Sequence, residues 1–370
     1  RTVVGHVKFR YMLERLQLCY SPFLNRLQRL LGKRENLLSR NNQQETASIN
    51  NYLAAVSDQS NTNNTEGSSE TTRGTYSFFD FSDFYARVNK LKLAASPQGN
   101  DYFLAWLVGF LEGDGSFGAR SKGNNGLTMG VNTGGLCYVE IVQDDVKLIH
   151  KIRSTLGFGT ITQINKDGRK YWRYYTSKRE FVLNFVALLN GNLVLEKRQI
   201  QFEEWVKKLN TCWNTQISIK PWNCAPSLDN AWLAGFIEAD GCFYTNAGNN
   251  FRRGKLPSGE QRYGFFLKMH ITQKGELSVL AAIRDLFGAT TKINQVTNGH
   301  TKVKYNRVEI TAYSSRNNII DYFKKFSLLG KKKIDYQRWV RVHGYQERGL
   351  SLSEKSAKKL AKLIYKLSTD

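Results

Sequence analysis

Two twelve-residue stretches constrain this chain more than anything else in it: "WLVGFLEGDGSF" at 106–117 and "WLAGFIEADGCF" at 232–243. Trp, Leu, Gly, Phe, Glu, Asp, Gly and Phe recur between them at a constant offset of 126 residues. Each stretch reads as the last turns of an apolar helix that ends in acids. In isolation that is unfavourable, because the carboxyl end of a helix carries partial negative charge and repels a carboxylate by about 0.3–1 kcal/mol. The same misplacement twice, in register, predicts two copies of one unit with a shared use for the acids. Gly109 and Gly113 lie four apart on one helix face, and Gly235 and Ala239 hold the matching positions, so two such helices can pack unusually closely. Packed about a pseudo-twofold axis, they bring Asp114 and Asp240 together in a negative pocket that divalent cations would stabilise. Glu112 and Glu238 compete for that role. They stand two residues back, about 200° round the helix, and Asp is favoured because it comes last before the glycine that lets the chain turn.

The rest of the sequence narrows the partner. A formal net charge of +23 and a pI near 9.8 over 370 residues exceed what solubility needs and point to a polyanion. Lys and Arg interleave with aromatics and Asn/Gln in "KDGRKYWRYYTSKR" (166–179) and "KVKYNRVEITAYSSR" (302–316), which fits phosphate contacts beside base contacts better than a membrane face. Five scattered cysteines without C-x-x-C spacing and five dispersed histidines argue for a reducing compartment and against a zinc or histidine-based site. No apolar run approaches the roughly 18 residues of a membrane span. No G-x-x-x-x-G-K-[ST] loop suggests an ATP-driven motor.

Along the chain, residues 1–40 form a basic arm with helical patterning, and 41–97 a polar, Asn/Ser/Thr-rich linker ending in the acidic-aromatic docking segment "YSFFDFSDFYARV". Residues 98–220 and 221–370 then follow one αββαββα plan twice, with a two-residue D-G turn in the first repeat and an N-G turn in the second. "RQIQFEEW" ending at Trp205 is echoed by "KIDYQRWV" with Trp339, and a basic C-terminal helix over 351–368 has no partner in the first repeat. The expected class is α+β, two pseudo-symmetric repeats joined at their acidic helices.

The blocks "LVGFLEGDG" (107–115) and "LAGFIEADG" (233–241) resemble the LAGLIDADG motif, and the chain from about residue 98 onward resembles a two-motif, single-chain homing endonuclease or intron-encoded maturase of that family. The resemblance implies paired motif helices beneath antiparallel sheets that form a nucleic-acid-binding saddle. It implies a monomer that uses Mg²⁺ or Mn²⁺ to cut both strands of a long, asymmetric DNA site. It makes Asp114 and Asp240 the catalytic metal ligands, helped by the main-chain carbonyls of Gly113 and Ala239. Gln143 and Gln273, at strand ends, would place the attacking water. Lys178 and Arg316 would be the basic residues after the last strands, with Arg179 a rival to Lys178. Arg169, Lys170, Trp172, Arg173 and Tyr175 would face bases and phosphates in the first repeat. Arg252, Arg253, Lys302, Lys304, Asn306 and Arg307 would do so in the second. An organelle is the implied setting, the mitochondrion before the plastid, and translation in frame from an upstream exon would account for a start at Arg1. The alternative is an RNA-binding relative, a maturase or a structural component of an organellar ribonucleoprotein such as the ribosome, whose saddle and arm grip RNA without cleaving.

Overall fold

A helix that is apolar on every side is stable only when covered on every side. The computed structural model describes residues 78–90, 101–120, 136–247, 251–255, 257, 259, 261–347 and 352–369, and supplies that cover twice. After α1 (Ser82–Lys90), the first motif copy forms α2 (Asp101–Asp114), buried at every position from Phe103 to Gly113. It leads into β1 (Gly115–Arg120), β2 (Leu136–Gln143), α3 (Val146–Leu156), β3 (Thr160–Lys166), β4 (Arg169–Thr176), α4 (Arg179–Leu189) and α5 (Glu196–Trp213). The second copy forms α6 (Trp232–Asp240), buried from Trp232 to Glu238. There follow β5 (Gly241–Asn246), a small hairpin of β6 (Arg252–Lys255) and β7 (Gln261–Tyr263), β8 (Phe266–Gln273), α7 (Leu277–Leu286), β9 (Asn294–Thr297), β10 (Lys304–Ile310), α8 (Tyr313–Lys325), α9 (Lys332–Glu347) and α10 (Glu354–Thr369). The basic arm expected over 1–40 and most of the linker lie outside the described residues.

The two repeats build the same sheet. Strand order is β1-β2-β4-β3 in the first and β5-β8-β10-β9 in the second, all pairs antiparallel. Alternation along each strand gives every sheet one helix-facing row. Phe117, Val139, Ile141 and Tyr174 form it in the first sheet, and Phe243, Met269, Ile271 and Val308 in the second, all essentially buried. Aromatic pairs repeat as well: Trp106 stacks on Phe110 at 4.8 Å and Trp232 on Phe236 at 4.9 Å. Asp167 and Gly168 both take positive φ, as a two-residue hairpin with an Asp-Gly turn requires. The second repeat departs from the expected N-G turn. There Asn298 opens a longer loop, its backbone paired with Val303 and Lys302 and its side chain accepting from His300 and Thr301, and Lys302 rather than Gly299 takes the left-handed conformation. An Asn side chain that ties down its own loop removes the need for a tight turn.

Glycine makes the seam. A Cβ on Gly109 would overlap the Trp232 carbonyl oxygen, and one on Gly235 would overlap the Trp106 carbonyl oxygen. The contact is reciprocal, as a twofold relation demands, and it sets α2 and α6 backbone against backbone. The acidic-aromatic segment docks on the first repeat: Phe81, Phe84 and Val88 are buried, and Asn192 exchanges hydrogen bonds with the Asp80 backbone at 2.9 and 2.7 Å.

Candidate metal centre and nucleic-acid face

Asp114 ends α2 and Asp240 ends α6, and both are half-buried. Gln143, the last residue of β2, donates to Asp114 Oδ2 at 2.5 Å. Gln273, the last residue of β8, donates to Asp240 Oδ2. A Cβ on Gly113 would lie 3.2 Å from Asp240 Oδ2 and would collide with the Ala239 side chain. The Asp240 carboxylate therefore rests against the last turn of α2, one residue from Asp114.

The competing acids have a different use. Glu112 is fully buried and accepts from the Val194 and Leu195 backbones at 2.8 and 2.7 Å and from Trp232 Nε1 at 2.5 Å. Glu238 does the matching work, accepting from Leu329 and Gly330 at 2.8 and 3.1 Å. Each anchors the backbone just ahead of the helix that follows, α5 or α9. Burial pushes Glu112 up to about 7, against the pull of its three donors, and raises Glu238 as well. A group whose folded pKa exceeds its unfolded value contributes stability that is complete below the unfolded pKa, near 4.5, and is lost as pH rises through about 7. Glu112→Gln is expected to turn an amide N–H towards one of these donors and cost about 1–3 kcal/mol. Thermal unfolding between pH 5 and 8 checks this, and the variant should show a flatter pH dependence than the parent.

The electrostatic paradox at the helix ends is answered partly by the chain itself. Arg198 donates to the Glu112 and Gly113 carbonyls at 2.7 and 3.1 Å. Lys332 donates to the Ile237, Ala239 and Gly241 carbonyls at 3.1, 3.3 and 2.7 Å. Each stands seven residues before the tryptophan of the echoed "RQIQFEEW" and "KIDYQRW" blocks, and each brings a cation to a carboxyl terminus that lacks one. Lys197 reaches the same region, donating to Gln273 Oε1 at 2.5 Å. The echoed blocks carry the one sequence trace of this role: Arg198 heads the first and Lys332 immediately precedes the second.

Lys178 and Arg316 are set elsewhere. Gln143 pairs with Trp172 and Gln273 with Asn306, so the acids lie beside the start of β4 and β10, while Lys178 and Arg316 follow the far ends of those strands. At about 3.3 Å per residue, Lys178 is roughly 20 Å further along. Lys178 is exposed, over the Phe181 ring. Arg316 is buried and donates to Gln346 Oε1 at 2.6 Å. The rival Arg179 donates to the Trp213 carbonyl at 3.0 Å.

Opposite the helices, each sheet presents its second row. Arg169, Arg173 and Tyr175 share it in the first sheet, with Arg173 Nε 2.7 Å from Glu140 and its guanidinium 4.1 Å over the Tyr175 ring. Arg307 shares it in the second, donating to Thr272 Oγ1 at 2.9 Å. Lys170 and Trp172 alternate onto the helix-facing row, where the Trp172 ring meets His150 at 6.3 Å. Lys304 and Asn306 share the parity of buried Val308, and Asn306 donates to the Gly275 carbonyl at 3.0 Å. Lys302 lies in the loop before β10 and Arg252 in β6; the Arg253 side chain lies outside the described residues.

The donors around Asp114 and Asp240 suit a hard cation. Both are carboxylates, and Mg²⁺ binds through one or two of these plus waters and substrate phosphate. Among the described residues no group of three or more His, Cys, Asp and Glu is placed to hold a metal ion, so any ion here would rest on two carboxylates. The Gly113 and Ala239 carbonyls, by contrast, already accept from Arg198 and Lys332.

Known proteins resemble this chain in sequence and in fold. The chain is 27% identical over 248 residues to a probable intron-encoded endonuclease 4 of Neurospora crassa, covering 65% of this chain and 40% of that protein. It is 26% identical over 249 residues to the intron-encoded RNA maturase bI4 of Saccharomyces cerevisiae, covering 65% and 34%. It thus spans well under half the length of these relatives. A solved structure of the I-LtrWI LAGLIDADG homing endonuclease bound to target DNA shares the fold with a TM-score of 0.53 at 18% identity, covering 72% of this chain and 97% of that one. The sequence profile of the LAGLIDADG endonucleases matches residues 107–209 and 233–343, both repeats and more than half the chain. Two glycine-packed acidic helices under two four-stranded antiparallel sheets, with that match across both, place this chain in the LAGLIDADG endonuclease family.

Proposed function

We propose that the protein is a site-specific DNA endonuclease, working as a monomer in a mitochondrion, that hydrolyses one phosphodiester in each strand of a long, nearly asymmetric duplex site. The observation that supports this most is the Asp240 carboxylate lying against the turn that carries Asp114, each acid held by a strand-end glutamine. Mg²⁺ or Mn²⁺ bound there would activate water and stabilise the departing 3′ oxygen. Asp114 and Asp240 would hold the cation, Gln143 and Gln273 would position their carboxylates and order water, and Lys197 adds positive charge beside Gln273. Arg198 and Lys332 offset part of the negative charge at the helix ends, which lets two acids stand together there. Lys178 and Arg316 take no part in this site: Lys178 follows the far end of β4 and buried Arg316 is tied to Gln346. The likeness to an RNA maturase supports a second reading, that the chain binds intron RNA without cleaving.

Incubating the protein with Mg²⁺ and duplexes spanning intron-lacking mitochondrial genes separates the two. A double-strand break at one site, abolished by EDTA, is expected. No break in any duplex, with tight binding to intron RNA, would overturn the endonuclease reading. On the saddle, Arg173 is held at Nε by Glu140 and beneath by Tyr175, an arrangement that aims the guanidinium outward to donate to guanine O6 and N7. Arg173→Gln is expected to cost about 1–3 kcal/mol of discrimination at a single G·C position, read by binding to a panel of single-base-pair variants of the cut site.

A further inference from the structure

Helix α10 is the element that the first repeat lacks, and it creates a surface of its own. Its buried stripe, Ala357, Leu360, Ile364 and Leu367, seals it to the body of the second repeat. The neighbouring α9 points Trp339 at the second sheet, donating Nε1 to the Lys268 carbonyl at 3.0 Å and packing its ring on Phe243. Arg341, two residues on, is about 200° round that helix and faces away from the sheet. On this far side α9 and α10 enclose a groove of about 800 Å³ whose walls include Arg341, Tyr345, Lys359, Lys362, Tyr365 and Lys366. Lys359, Lys362 and Lys366 form one ridge at helical spacing, Tyr365 is 67% exposed, and among the described residues no carboxylate lines the groove.

Four cations lining one groove repel one another, and a chain of phosphates is the counter-charge that satisfies several at once. The exposed Tyr365 ring among them offers a stacking face, which only unpaired bases can use. A duplex lying on the saddle cannot supply them. Its bases are already stacked, it is stiff over about 150 bp, and the groove opens on the opposite side of the sheet. We propose that the α9–α10 groove binds a single-stranded polynucleotide, RNA or DNA, through phosphates on the lysine ridge and a base on Tyr365, independently of the saddle. Only the comparison with duplex binding rests on the reading of the saddle given above.

The test uses the full chain and three fluorescent probes: a single-stranded RNA of about 12 nucleotides, DNA of the same sequence, and that DNA as a duplex. Changing Lys359, Lys362 and Lys366 together to Gln is expected to weaken single-strand binding at least tenfold and to lower the slope of log affinity against log salt by about 2, from roughly 0.7 per phosphate contact. Tyr365→Ala is expected to weaken it about tenfold without changing the slope. Duplex affinity should stay within about twofold, and thermal melting should show both variants folded. Preference for RNA over DNA, or equal binding, identifies the source of the strand; either supports the site. Undetectable single-strand binding, single-strand binding indifferent to the variants, or an equal loss for the duplex overturns it. Failure to cut DNA would leave these outcomes untouched, so the two readings fail separately.

Discussion

Asp114→Asn and Asp240→Asn are each expected to lower DNA cleavage about 10³-fold or more while leaving duplex binding intact or slightly tighter and raising thermal stability. The three signs follow from one geometry. Each carboxylate ends a helix whose carboxyl terminus is already negative, and the partner acid lies against the same turn. Neutralising one removes a repulsion of about 0.3–1 kcal/mol at its own helix end, so the melting temperature should rise. It also removes negative charge from beneath the DNA backbone, so binding should not suffer. Asparagine keeps an oxygen to accept from Gln143 or Gln273, which preserves the local structure. On the endonuclease reading, what it would lose is the ability to hold a divalent cation, worth several kcal/mol at the transition state. Mg²⁺ should therefore raise the melting temperature of the parent protein and raise that of the variants much less, since a ligand stabilises only the form that binds it. A variant that kept full cleavage, or lost stability instead of gaining it, would show that these acids are structural.

The distinction between the paired Asp and the paired Glu shows how far the sequence could be read. The spacing of Gly109, Gly113 and Asp114, repeated at Gly235, Ala239 and Asp240, carried the seam, because close helix packing depends on positions four apart and nothing else. The same arithmetic put Glu112 and Glu238 on the other side of their helices. It could not say that they anchor backbone near Leu195 and Leu329, because those partners are more than 80 residues away. Arg198 and Lys332 were hidden for the same reason: their targets are carbonyls, which leave no mark in a sequence. The choice of Gln143 and Gln273 rests on the family resemblance; only their position at strand ends is local. Lys178 and Arg316 follow the last strand of each repeat, and their distance from the acids rests on register. Antiparallel pairing puts Gln143 beside the first half of β4, so whatever follows β4 emerges at the other end. Composition pointed to a basic face, but alternation alone could not decide which row of "RKYWRYYT" faces the helices until buried Tyr174 fixed it.

Gly109→Ala and Gly235→Ala should each be among the most damaging conservative changes in the protein, lowering the melting temperature by roughly 5–10 °C. Elsewhere in a helix this substitution gains about 0.5–1 kcal/mol from reduced chain entropy. Here the new methyl at Gly109 meets the Trp232 carbonyl oxygen and, at 2.9 Å, the Phe236 nitrogen; at Gly235 it meets the Trp106 carbonyl oxygen and, at 2.9 Å, the Phe110 nitrogen. All four obstacles are backbone in fully buried helices, so no side chain can rotate out of the way and α2 and α6 must separate. Because both glycines keep the same contact closed, one methyl already opens the space the other needs, and the double variant should lose less than the sum of the single losses. Gly299→Ala is the control: it has open space and no positive φ, and should be neutral. Separation of the helices also moves Asp114 away from Asp240, and a misplacement near 1 Å can cost about 10²-fold in rate. Cleavage should therefore fall further than the fraction unfolded explains when rates are measured well below the melting temperature. A rate loss that merely tracked the unfolded fraction would mean that the seam holds the fold together without setting the distance between the acids.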